Sequence, residues 1–112
     1  MKKLKVILSS SVLFFTYCTK ETETVSGPYF PKVKSIISNH CLSCHSSAGT
    51  WEGRPTVFDT DEEITSAYAS IKASIADSAT IYNKRMPQSG MLSSSEIATI
   101  VKWFELGGKI TD

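Results

Sequence analysis

The sequence predicts a small all-α domain with three main helices. Three observations carry that prediction. Apolar residues recur at three- and four-residue spacing in three separate stretches, as amphipathic helices require. Two of those stretches follow a capping-box signature, Thr60 with Glu63 and Ser93 with Glu96. No segment alternates apolar and polar residues over the length of a strand.

The first residues read as a targeting segment. Lys2, Lys3 and Lys5 form a basic start, and residues 6–17 are mostly apolar but too few for an ordinary membrane span. Residues 1–17 are therefore expected to be a signal peptide. Cys18 follows directly and resembles the lipidated cysteine of bacterial lipoproteins, although Tyr17 stands where such sites carry a small residue. Lipidation at Cys18 is the expectation, with plain secretion or a retained anchor as the alternatives. Residues 18–29 are polar, contain Gly27-Pro28 and read as a tether. The domain then spans 30–110, about 80 residues, a size at which a peptide core alone is marginal.

Pro31 suits the first turn of the first helix. Phe30, Val33, Ile36 and Ile37 form its apolar face and lead into Cys41-Leu42-Ser43-Cys44-His45. C-x-x-C-H is the attachment site of a c-type haem. Two thiols at this spacing reach the two vinyl groups on one edge of a porphyrin and form thioethers. The next residue, His45, can then offer an imidazole nitrogen to the iron. The chain has three cysteines, and with Cys18 in the targeting segment one pair remains. Two other uses of that pair stay open. A C-x-x-C disulfide usually serves redox exchange on a βαβ unit, and no such pattern follows here. His40, Cys41, Cys44 and His45 offer four zinc ligands, but structural zinc sites usually draw on two separated pairs and no second pair lies downstream.

Residues 46–59 include Gly49, Gly53 and Pro55 and read as a loop. The second helix starts at the Thr60 cap and carries Ile64, Tyr68, Ile71 and Ile75 on its apolar face. A Met86-Pro87 loop follows. Pro87 biases Met86 away from helical dihedrals, which suits an extended loop that crosses the far haem face. A thioether there is a soft ligand that favours ferrous iron. Met91, five residues later and beyond Gly90, is the rival ligand; either methionine could instead fill a gap in the core. Met91, beside Leu92 and Ser93, is expected to pack where the last helix begins. His40, next to Cys41, reads as a helix-end residue. The third helix starts at Ser93, carries Ile97, Ile100, Val101 and Phe104 as its stripe, and stops at Gly107-Gly108.

The order helix, C-x-x-C-H, loop, helix, Met-Pro loop and terminal helix ending Lys102-Trp103-Phe104-Glu105-Leu106-Gly107 resembles the class I monohaem cytochromes c. The resemblance is greatest to small bacterial members, through Arg85-Met86-Pro87-Gln88-Ser89-Gly90-Met91-Leu92-Ser93, and covers residues 30–108. It implies the small cytochrome c fold around one haem c per chain. It also implies Cys41 and Cys44 as covalent anchors, His45 as proximal ligand and Met86 as distal ligand. Many members double the proline, and here Gln88 takes the second place. In the family an early aromatic packs on the tryptophan of the last helix, which gives Phe30 or Ile37 as the counterpart of Trp103. Trp51, Arg54 and Tyr82 are candidates for hydrogen bonds to the haem propionates, as such residues make in the family.

Charge narrows the function. The whole chain has 12 basic and 11 acidic residues; without the three lysines of residues 1–17 nine basic residues face eleven acidic ones, a formal net charge of −2. That balance speaks against nucleic acid as a partner. No Ser/His/Asp set, phosphate-binding glycine loop or carboxylate cluster suggests an enzyme. The expectation is an exported, extracytoplasmic, monomeric electron carrier, held to a membrane if Cys18 is lipidated, with redox proteins as donor and acceptor. Lys84-Arg85 is a candidate docking patch. A haem sensor or peroxidase-like domain with a displaceable Met86, and a zinc-bound structural module, remain as alternatives.

Overall fold

The structure is a computed structural model, and it describes residues 25–50, 56–77, 80 and 84–112. Among these residues the chain is all-α, with helices α1 (Phe30–His40), α2 (Asp61–Ser66), α3 (Tyr68–Ala76) and α4 (Ser94–Glu105). None of them is long and apolar enough to cross a membrane.

Helix α1 begins with Pro31 in its first turn and buries Phe30, Val33, Ile36 and Ile37, the face read from the spacing. Its first amide, Phe30 N–H, donates to the carbonyl of Asp112 at 3.0 Å, so Asp112 closes the start of α1. Helix α4 lies against both α1 and α3. Its Trp103 is fully buried, 5.9 Å from Phe30 and 6.3 Å from Tyr68 between ring centroids. The indole Nε1–H is satisfied by the carbonyl of Lys109 at 2.9 Å. Phe30 thus supplies the aromatic partner of Trp103, while Ile37 is buried in the same core. Among the described residues, Phe58, Ile64, Ile71, Leu92 and Ile100 complete the buried apolar set.

The second helix of the sequence reading is two. Thr60 and Glu63 form the expected capping box, but α2 ends at Ser66 and α3 starts at Tyr68. The apolar spacing runs straight across the break, so periodicity could not reveal it. Two observations give it a physical cause. Thr65 Oγ1 donates to the carbonyl of Glu62 at 3.1 Å and Ser66 Oγ to that of Glu63 at 2.9 Å, and such back-bonding bends helices. Tyr68 is held in place by Phe104, onto which it stacks at 5.5 Å, and by Gly108.

The end of α4 follows its glycines. Gly108 N–H donates to the carbonyl of Trp103 and Gly107 N–H to that of Phe104, the paired bonds of a Schellman motif. Gly107 and Gly108 have φ of +97° and +64°. A Cβ on Gly108 would stand 2.4 Å from Tyr68 Cγ, so glycine is needed there for space as well as for its dihedral.

The α4 stripe is rotated from the expected one. Thr99, Ile100 and Trp103 are buried, whereas Ile97, Val101 and Phe104 are only partly so. The bulk of the indole sets the face that enters the core. Thr99 sits there at no polar cost because its hydroxyl donates to the carbonyl of Ser95 at 2.8 Å.

Candidate metal centre

The C-x-x-C-H segment is the turn that ends α1. Cys41 caps the helix through its N–H to the carbonyl of Ile37, and the amides of Cys44 and His45 both donate to the carbonyl of Cys41, at 3.2 and 2.8 Å. The loop behind it clamps the turn. Thr50 N–H donates to the carbonyl of Ser43 at 3.1 Å, and a Cβ on Gly49 would meet the Cys44 carbonyl oxygen at 2.4 Å. Only glycine lets that backbone approach so closely.

Cys41 and Cys44 are not disulfide-bonded, and both are half-buried. Burial, and to a lesser degree the neighbouring Cys44, pushes the Cys41 thiol up to about 11. A redox-active cysteine needs the opposite, a lowered pKa of the kind found at a helix N-terminus. This pair sits at a helix C-terminus.

His45 is held from one side by residues 56–58. Its Nδ1 lies 3.0 Å from the carbonyl of Thr56, its ring packs 5.4 Å from Phe58, and its own carbonyl accepts from Phe58 N–H at 2.9 Å. A carbonyl can only accept, so the contact requires the proton on Nδ1 and places the ring's lone pair on Nε2. This is the usual way a protein sets the tautomer of a metal-binding histidine.

Met86 comes to the same place from the loop after α3. Its N–H donates to the carbonyl of Ser74 at 3.0 Å. A groove of about 420 Å³ is lined by Cys41, Cys44, His45 and Thr50 together with Met86, Pro87, Gln88 and Ser89. A second groove of about 640 Å³ shares Met86, Pro87 and Gln88 and is lined further by apolar Ile75, Leu92 and Ile97. The two cysteines, His45 and Met86 are thus gathered around one space.

Met91 does not join them. It lines the second groove only and is 92% exposed, so it does not pack at the start of α4 as expected. Leu92 takes that place and is buried. His40 borders the first groove, but its Nε2 contacts Glu96 Oε1 at 2.9 Å. Among the described residues no three His, Cys, Asp or Glu side chains are grouped as a metal would need, which leaves the zinc arrangement without a ligand set. Glu96 caps α4, and the Ser93 N–H, then the Ser93 hydroxyl, and lastly His40 hold its carboxyl below its ordinary value against a desolvation that raises it. Lys84 and Arg85 are exposed, with Arg85 Nε donating to the carbonyl of Thr80 at 3.1 Å. Cys18, Trp51, Arg54 and Tyr82 lie outside the described residues.

Sequence reading missed Gly49, Thr50, Thr56, Phe58 and Glu96 as parts of this site. The glycine-containing loop signalled a turn rather than its contact, and the Ser93–Glu96 capping box signalled a helix start rather than the contact of Glu96 with His40. Comparison with family models, with curated proteins and with solved structures finds no match for the chain.

Proposed function

We propose that this chain is an exported c-type cytochrome of the small cytochrome c fold that carries single electrons through one haem. Cys41 and Cys44 anchor the haem by thioethers, and His45 and Met86 are its axial ligands. One observation carries the reading: the fold brings Met86 to the groove that Cys41, Cys44 and His45 line. The residues present fit the group. The thiols are unpaired with each other, the imidazole lone pair falls on Nε2, the thioether is a soft donor, and Ile75, Leu92 and Ile97 give apolar contact to a macrocycle.

The bound haem supplies a one-electron iron couple, and histidine–methionine ligation raises its potential relative to two histidines. The chain does the rest. The Thr56 carbonyl orients His45, and the bond from Met86 N–H to Ser74 fixes the loop that carries the thioether. With His45 and Met86 both holding the iron, substrates would have no place on it, and the chain would act as a carrier rather than an enzyme. Its donor and acceptor are redox proteins. Export follows residues 1–17, with a membrane tether through lipidated Cys18.

The test is expression in a host that matures c-type haem. The haem is expected to stay with the polypeptide through denaturation and acid–organic extraction, because thioethers survive where axial bonds do not. A Cys44→Ala protein should bind haem less firmly and less fully. Wild-type protein that matured without haem, or that lost it on extraction, would overturn the reading. Mass spectrometry of the mature N-terminus should find a lipid-modified Cys18; a start elsewhere removes the anchor.

A further inference from the structure

We propose that Cys44 is the leading nucleophile of the C-x-x-C pair and Cys41 the trailing one, so that the first thioether to haem forms at Cys44. The inference rests on the haem reading and adds to it an order of attachment, which that reading leaves open.

The two cysteines have different surroundings. Among the described residues, Cys41 and Leu42 pack against the buried apolar cluster and Cys44 does not. The end of α1 holds Cys41 in that place: its own N–H and that of Leu42 both donate to the carbonyl of Ile37, at 2.9 and 3.2 Å. Cys44 lies in the turn beyond, beside hydroxyls. Its Sγ accepts from the Ser43 hydroxyl at 4.0 Å and lies 3.8 Å from Thr50 Oγ1. Ser43 and Thr50 are both exposed. Cys44 thus stands among solvated hydroxyls, and Cys41 against the core. Structural buried cysteines are inert, whereas reactive ones are partly exposed in polar surroundings. The same burial that shields Cys41 raises its thiol to about 11, which acts in the same direction.

Both cysteines line the same groove, so the order follows from reactivity rather than from reach. Each attachment adds one thiol across one vinyl double bond. A carbon–sulfur bond forms at the carbon next to the ring, the thiol proton goes to the outer carbon, and the π bond is consumed. No oxidant or reductant enters, and the two thiols are free, as the step requires. Once Cys44 is joined, the second vinyl is held beside Cys41. Holding two reactants together turns a bimolecular step into an effectively unimolecular one, which offsets the lower reactivity of a sheltered thiol. Loss of Cys44 therefore removes the step that captures the haem, whereas loss of Cys41 removes only the step that closes the second link.

The experiment uses the full chain, reduced and free of haem. Limiting iodoacetamide is added at neutral pH, and fragment mass spectrometry locates the label within the peptide that holds both cysteines. Cys44 should be labelled several-fold faster than Cys41, and the two rates should converge in strong denaturant. Equal rates in native buffer, or a faster Cys41, would overturn the proposal. A ratio that denaturant leaves unchanged would also sink it, since the difference would then not come from packing in the fold. A second arm measures covalent haem by staining the denatured chain after expression in a host that matures c-type haem. Cys41→Ser should retain several-fold more covalent haem per chain than Cys44→Ser; equal or reversed yields would remove the order. Failure of the haem reading looks different: the unaltered protein would carry no covalent haem, while the labelling arm would still rank the two thiols.

Discussion

Met86 and Met91 have the same side chain five positions apart, and their surroundings separate them. Met86 is half-buried on the groove with His45; Met91 stands in solvent. Replacing Met86 with alanine should abolish the methionine–iron charge-transfer band, lower the potential and open the iron to carbon monoxide or cyanide. Replacing Met91 should leave that band intact and change stability by no more than about 0.5 kcal/mol, the range of ordinary surface substitutions. Absorption spectra and denaturant midpoints of the two variants check both. The opposite spectral pattern would make Met91 the ligand, and carbon monoxide binding by the unaltered protein would favour the sensor or enzyme alternative. The clustering of Cys41, Cys44 and His45 was legible in the sequence because the geometry that joins them is local, within five consecutive residues. The orientation of His45 was not legible. Its partner is a backbone carbonyl at Thr56, and a carbonyl carries no residue identity for a sequence to display. Gly49 was read as a turn former, yet its contact with Cys44 depends on how a whole loop folds back.

Among the helices, the capping boxes were readable because each is a four-residue device. The break at Ala67 was not, because it depends on Tyr68 docking on α4 and on hydroxyls that compete for carbonyls. The Ser93–Glu96 box has a consequence for acid stability. The folded Glu96 carboxyl lies below its ordinary value, so its contribution is complete above the ordinary carboxylate range and is lost as pH falls through the depressed folded value. Unfolding free energy measured across that acid range should fall less steeply in Glu96→Gln than in the unaltered protein. An equal slope in both would mean that the carboxyl is not held low by its contacts. Ser93→Ala, which removes the hydroxyl cap, should cost about 1 kcal/mol at neutral pH.

At the scale of the whole molecule, the largest fully buried side chains among the described residues are Trp103, Ile37, Ile100 and Val33. The all-α class and the apolar face of α1 were legible, since both follow from spacing along one chain segment. The pairing of Phe30 rather than Ile37 with the indole was not, since both lie on the same face of α1 and only the crossing of α1 and α4 decides between them. Gly108→Ala should destabilise the protein by more than the about 1–2 kcal/mol of a left-handed residue, because the new methyl also displaces Tyr68 from beside Trp103. Thermal unfolding measures the loss. A melting temperature unchanged from wild type would show that the ring can move aside at no cost.

The bond from Met86 N–H to the carbonyl of Ser74 hangs the proposed axial ligand from α3 by its backbone as well as by its sulfur. Two kinds of ligand loss are therefore distinct. A thioether can swing away by side-chain rotation, on the fast timescale of rotamer exchange, while its amide stays bonded. Detachment of the loop must break the amide bond and expose that hydrogen to solvent. Hydrogen exchange at this single amide thus separates a ligand that flickers from a loop that opens. A loop in which the first occurs without the second can release and recapture its thioether without opening its backbone.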